Sequence, residues 1–201
     1  MKEISRRTML KGSAAAAAGA GLMSLNGLFG VRMAAAQFSS DIDILNYALT
    51  LEHLEYAFYR DGLNTLGVGA FSSFGANVGG YLQAIRDHEG AHVATLISVI
   101  QSLGGTPVSE ATYNFGYTNA ASFLAVAQAL ENTGVSAYDG AIRFIQSPDL
   151  TEAAATIATV EARHASYLNL INGTSPFPAA FDDPKSKDEI LAIAGPFIVS
   201  A

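Results

Sequence analysis

The chain has 201 residues, half of them hydrophobic and 14 % charged, which gives ample apolar surface for a buried core and argues against disorder. It contains no cysteine, which excludes disulfides, thiolate-ligated zinc, iron–sulfur clusters and thiol nucleophiles. Eleven basic residues against eighteen acidic ones, a net charge of −7, exclude a nucleic-acid partner of the ordinary kind, which needs a basic footprint.

The charge divides unevenly. Residues 1–36 carry five basic groups and one acid, whereas the remainder carries six basic and seventeen acidic groups. In the basic segment, Ser5-Arg6-Arg7-Thr8-Met9-Leu10-Lys11 resembles the twin-arginine export signal, with Met9 where Phe is usual. A weakly apolar stretch from Gly12 to Val31 follows, then Arg32 and Ala34-Ala35-Ala36, an Ala-x-Ala cleavage pattern before Gln37. That stretch is about long enough to span a bilayer as an uncleaved anchor. Its low Leu and Ile content and its Ala-x-Ala end favour cleavage. Residues 1–36 are therefore expected to be a signal peptide. The protein is expected in the periplasm or outside the cell, with no stable membrane insertion once the leader is removed. The resemblance to this export route also implies cargo that folds before transport, often around a cofactor.

Four segments of helical periodicity come next, separated by Gly, Pro and Asn clusters. The first is predicted from about Asp41 to Asp61, with Ser40 as N-cap and Asp41 and Asp43 in the first turn. The second runs from about Tyr81 to Leu103 and stops at Gly104-Gly105. The third runs from about Ala120 to Ile145. The fourth opens at Ser147-Pro148-Asp149, where cap, proline and acid stand in the preferred order, and ends at Asn172-Gly173. Residues 174–201 are Pro-rich, with a short helix predicted at Ser186–Ile193 behind a capping box of Ser186 and Glu189. Strand signals are poor throughout. The pattern is all-α: a four-helix bundle at 37–173 with a C-terminal extension at 174–201. The fifteen or so residues between the second and third helices reach roughly 50 Å when extended, more than the roughly 35 Å of such a helix. A crossover from one end of the bundle to the other is thus permitted.

Glutamates recur on stripes that are otherwise apolar. The second helix carries Glu89-Gly90-Ala91-His92 and the fourth carries Glu161-Ala162-Arg163-His164, two Glu-x-x-His pairs whose members share a helical face. Nine Glu and four His in this chain lead to about 0.2 such pairs by chance. The first helix adds Glu52, followed seven residues on by Tyr59, and the third adds Glu131, followed seven residues on by Tyr138. The chain reads as an internal repeat, Glu52, Tyr59, Glu89, His92 against Glu131, Tyr138, Glu161, His164. Glu55 competes with Glu52, but its counterpart in the repeat is Gly134, which favours Glu52. Tyr59 and Tyr138 read first as core packing and second as hydrogen-bond donors to the carboxylates. His53 and His88 flank the stripes and read as surface residues.

Four carboxylates facing one core each lose several kcal/mol of solvation, and no Lys or Arg lies on the stripes to neutralise them. Two divalent cations would cancel four negative charges, and two imidazoles would complete a mixed nitrogen and oxygen donor set suited to iron or manganese. One Glu from each of two helices with Glu-x-x-His from the other two is the arrangement of di-iron and di-manganese carboxylate bundles. The predicted metal ligands are Glu52, Glu89, His92, Glu131, Glu161 and His164, with no catalytic residue beyond them.

On these positions the chain resembles the ferritin-like superfamily over about residues 41–173. The runs Ile44–Tyr59 and His88–His92 resemble the branch of plant desiccation-related proteins and their exported bacterial homologues. The resemblance implies a ferritin-like bundle with a long crossover between its second and third helices. It implies two iron ions as cofactor, with manganese as the alternative, and dioxygen or peroxide as the reacting partner in an oxidase, peroxidase or ferroxidase-like role. Without cysteine there is no built-in rubredoxin-like relay, so an external electron donor is required. A non-enzymatic stress-protective or metal-sequestering role and a manganese catalase-like activity stay open, as does a homo-oligomer.

Overall fold

The computed structural model describes residues 37–200, so the leader at 1–36 lies outside the described residues. Helix α1 spans Asp41–Leu66, α2 Val78–Ser102, α3 Ala120–Ala141 and α4 Pro148–Ile171. A shorter α5, Lys187–Ala194, lies in the extension. The caps follow from local chemistry. Ser40 accepts from the Asp43 amide at 3.2 Å, and Ser147 caps α4 with Pro148 just inside it. Ser186 and Glu189 close a reciprocal capping box on α5, as their spacing predicts. Asp41 also accepts from the amides of Gln146 and Ser147, which ties the α3–α4 turn to the start of α1.

Two helices extend beyond their predicted ends, both through glycines. Helix α1 continues through Gly62, where an added Cβ would lie 2.2 Å from the Phe123 ring, and stops at Gly67 with φ +76°. Helix α2 begins at Val78, through Gly79, whose missing side chain admits the Val68 backbone and side chain. Between α1 and α2, a 3₁₀ stretch at Val68–Phe74 drives Phe71 into the core. Phe71 joins an aromatic cluster in which Phe58 stacks on Phe123 at 4.3 Å. Helix α3 stops at Ala141, and a 3₁₀ turn at Ile142–Phe144 replaces its predicted last residues.

The segment after α2 follows α1 along its length. Asn46 bonds to the backbone of Thr106 and Val108, His53 Nε2 lies 3.2 Å from the Val108 carbonyl, and Arg60 forks onto Glu110. Phe115 then meets Phe58 edge-on. The chain is thereby carried back to the end of the bundle where α2 began, so α2 and α3 run in the same direction. His53, read as a surface residue, is buried by this crossover.

The extension is joined to the bundle rather than trailing from it. Strand β1, Thr112–Tyr113, pairs antiparallel with β2, Ile198–Ser200, a sheet too short to leave an alternation in the sequence. Ile190 and Ala194 of α5 are buried in the main core. Among the described residues, no helix is long and apolar enough to cross a membrane.

Candidate metal centre

The four helices bring all six predicted residues together. Glu52, Glu89, Glu131 and Glu161 are completely buried, and His92 and His164 nearly so. Their donor atoms form two groups, each with all its members within 4.8 Å of one another: Glu52, Glu89, His92, Glu161, and Glu89, Glu131, Glu161, His164. Glu89 and Glu161 belong to both. Each group thus contains one imidazole, one carboxylate of its own and two shared carboxylates.

The imidazoles face the carboxylates through Nδ1. His92 Nδ1 lies 3.2, 3.0 and 3.2 Å from oxygens of Glu52, Glu89 and Glu161. His164 Nδ1 lies 3.0 and 3.2 Å from oxygens of Glu89 and Glu131. A single N–H cannot serve several carboxylates. Glu89 Oε1, beside His164 Nδ1, Glu161 Oε1, beside His92 Nδ1, and Glu161 Oε2 are buried and none of them receives an aligned hydrogen bond. Leaving such atoms unpaired is costly, and a cation among them would satisfy all three. The donor set therefore fits divalent iron or manganese.

Without a cation the cluster must hold protons. Burial pushes Glu52 up to about 7, against the pull of His92. Burial, then the neighbouring carboxylates, raises Glu161 well above the usual carboxylate range. Burial would raise Glu89 too, but the adjacent imidazoles of His164 and His92 outweigh it and hold that group near 2. Burial opposes charge on both histidines, yet the surrounding carboxylates lift His92 to about 12 and His164 to about 10.

Two tyrosines link the halves of the repeat. Tyr59 on α1 donates to Glu131 on α3 at 2.7 Å, and Tyr138 on α3 donates to Glu52 on α1. Burial and the adjacent carboxylates raise both phenols, so they stay protonated as donors. Both readings of these residues hold, since the rings pack in the core while the hydroxyls reach the carboxylates. A buried tyrosine needs a hydroxyl partner, and the seven-residue offset repeated in both halves was the signal for it.

Glu55 also enters the core. It is buried, and burial followed by Glu161, Glu131, Glu52 and Glu89 raises its pKa well above the usual range. A Cβ on Gly134 would lie 3.0 Å from Glu55 Oε1 and 3.4 Å from Glu161 Oε2. The glycine that seemed to disqualify Glu55 is what leaves room for it. His88 is exposed, as predicted, yet its Nδ1 sits 2.9 Å from His164 Nε2 with the two rings stacked. Gly90 admits the Tyr56 ring, 3.1 Å from where a Cβ would stand.

A family model described as a ferritin-like domain matches residues 40–174, and one for the twin-arginine translocation pathway signal sequence matches residues 3–23. The leader directs export by the twin-arginine route. Protein rds1 of Schizosaccharomyces pombe is 26 % identical over 162 residues, 79 % of this chain and 39 % of that protein. The chain thus spans well under half the length of this curated relative. The crystal structure of a conserved hypothetical protein, rv2844, from Mycobacterium tuberculosis covers 69 % of this chain and 94 % of its own, with a TM-score of 0.56 and 23 % identity, a likeness of fold.

Proposed function

The chain belongs to the ferritin-like domain family, and from that premise we propose an exported di-metal carboxylate protein, with iron as its metal, that reacts with dioxygen or hydrogen peroxide. The observation that carries the proposal is the pair of overlapping donor groups that share Glu89 and Glu161, with three buried carboxylate oxygens otherwise unpartnered. Glu89 and Glu161, common to both donor groups, would help hold both metals. Glu52 with His92 and Glu131 with His164 would complete the two ends. When bound, a pair of iron ions would supply the electrons that reduce a small oxidant.

The residues of the chain do the rest. Tyr59 and Tyr138 hold the outer carboxylates in place. Burial of all four ligand glutamates excludes water from the centre. Two electrons and two protons convert dioxygen to hydrogen peroxide, or hydrogen peroxide to two waters. With no cysteine relay in the chain, an external donor must restore the electrons. The mature protein in this reading begins at about Gln37 and includes the bundle and its bound extension. The oxygen-rich donor set favours one second reading, manganese in the same positions with catalase-like turnover of peroxide.

The test begins with the metal content of protein purified from its own host, and N-terminal sequencing of that protein is expected to read from Gln37. Anaerobic protein loaded with two ferrous ions is then mixed with oxygen or peroxide in a stopped-flow instrument. Oxidation much faster than that of free ferrous ion is expected, and Glu131→Ala removes most of the enhancement while the helical content is kept. Equal rates for parent, variant and free iron overturn the redox reading, and native manganese selects the second one.

A further inference from the structure

An apolar cavity of about 50 Å³ lies within the bundle beside the metal centre. Each helix contributes a wall residue displaced the same way along the bundle axis. Ala48 precedes Glu52 by four residues on α1, Leu96 follows His92 by four on α2, and Ile157 precedes Glu161 by four on α4. Because α1 and α4 run opposite to α2 and α3, these offsets all point to one end of the bundle; this near wall stands one helical turn of about 5.4 Å from the ligands, and the far wall, Ile44, Val99, Ile145 and Leu150, two turns or more. On α3 the wall is Tyr138, the residue whose hydroxyl binds Glu52. The lining includes no charged residue, and Tyr47, Thr95 and Tyr138 are its only polar side chains. Thr95 and Ala153 are exposed at the rim, so the cavity leads from solvent to the tyrosine that touches the centre.

A cavity of this volume exceeds what one water occupies, but of its three polar side chains Tyr138 is bound to Glu52 and Thr95 sits exposed at the rim, which leaves the unpartnered Tyr47 hydroxyl, fewer than the two to four polar partners a buried water needs. Apolar cavities stay dry and take up small apolar molecules instead. Hydrogen peroxide, with two donors and two acceptors, would leave most of them unpaired there, whereas dioxygen has no donor to satisfy. We propose that this cavity, whose near wall lies one helical turn from the metal centre, is a binding site for dioxygen, and that it makes dioxygen rather than peroxide the favoured oxidant. The oxidant preference rests on the redox reading above. The capacity to bind a small apolar gas stands apart from it.

Xenon is the probe for the site. Crystals of the mature, metal-loaded protein under xenon pressure are expected to hold xenon among Ala48, Leu96, Tyr138 and Ile157. Two filling variants on different helices, Ala154→Phe and Ala48→Leu, each remove the xenon, with folding checked by helical content. In the ferrous-loaded protein, the filling variants lower the rate with subsaturating dioxygen roughly tenfold, the scale on which a methylene or two matters in an apolar pocket, and leave the rate with peroxide unchanged. Absence of xenon from the parent cavity overturns the proposal. So does a filled variant that has lost xenon and keeps the parent's rate with dioxygen. If xenon binds but neither oxidant reacts, the redox reading falls and the gas-binding site stands.

Discussion

The hydroxyl of Tyr59 reaches across the bundle from α1 to Glu131 on α3, 72 residues away in sequence, at 2.7 Å. Tyr138 returns the same bond from α3 to Glu52 on α1. Each half of the repeat thus orients the outer carboxylate of the other, and neither end of the cluster is complete within its own helical hairpin.

This reciprocity has a measurable asymmetry. Tyr59→Phe removes the donor from Glu131 and leaves the Glu52 end intact, and Tyr138→Phe does the reverse. Loss of an outer hydrogen bond to a ligand weakens metal binding roughly ten- to hundredfold. Calorimetric titration of each variant is expected to show one weakened step and one parent-like step. Two unchanged steps in both variants would mean that the phenols serve packing alone.

The protons held by the metal-free cluster set its response to pH. Glu52 at about 7 lies above its value in the unfolded chain, so the folded state binds the extra proton and stability falls as pH rises between about 4.5 and 7. His164 near 10 and His92 near 12 also exceed their unfolded value. Their contribution is complete below about 6.5 and is lost as pH rises through 10 and beyond. Glu89, held near 2, acts the other way and costs stability only as pH falls below about 4.5. The metal-free protein is therefore expected to melt progressively lower from pH 5 to pH 9. Metal must displace these protons, so the rise in melting temperature on metal addition grows over the same interval. A metal increment that is flat or shrinks with pH contradicts the protonated cluster.

What the sequence made legible was whatever is local. The caps at Ser40, Ser147 and Ser186, the Glu-x-x-His pairs and the two seven-residue Glu-to-Tyr offsets each lie within one helix, and all fall into place in the fold. What stayed hidden depends on partners far along the chain. Gly62 looks like a helix end until Phe123 is packed against it, and Gly79 looks like a loop until Val68 is. The pairing of β1 with β2 joins two residues in mid-chain to three near its end, too few to leave a period. Glu55 was discounted by matching it to Gly134, because a repeat aligns positions and takes no account of volume.

The same dependence on a distant partner fixes the extension to the bundle. A Cβ on Gly140 would stand 1.8 Å from the carbonyl oxygen of Lys185, whose amide donates to Ser136 at 3.1 Å. Gly140→Ala is expected to lift this segment and loosen α5, costing about 1–3 kcal/mol as an overpacked contact, even though Ala is the better helix former by about 1 kcal/mol. Gly80→Ala, with nothing within 4 Å of the new methyl, is the control, neutral or stabilising. Urea unfolding of the two variants separates them, and equal stability of both would detach the extension from the fold's energetics.

The last prediction takes Gly134 and Glu55 as one unit. Gly134→Ala places a methyl 3.0 Å from Glu55 Oε1 and 3.4 Å from Glu161 Oε2, with helix propensity in its favour. If space for Glu55 is the reason for the glycine, the variant displaces that carboxyl into the cluster and weakens metal binding, while Glu55→Ala restores the room. The Gly134→Ala effect is then large in the parent and small in the Glu55→Ala background, a coupling that a double-mutant cycle on metal affinity reads directly. Glu55→Ala alone is expected to raise the melting temperature of the metal-free protein, because it removes a carboxyl disfavoured by burial and by four like neighbours. An equal penalty for Gly134→Ala in both backgrounds would assign the glycine to Glu161 instead and leave Glu55 outside the working centre.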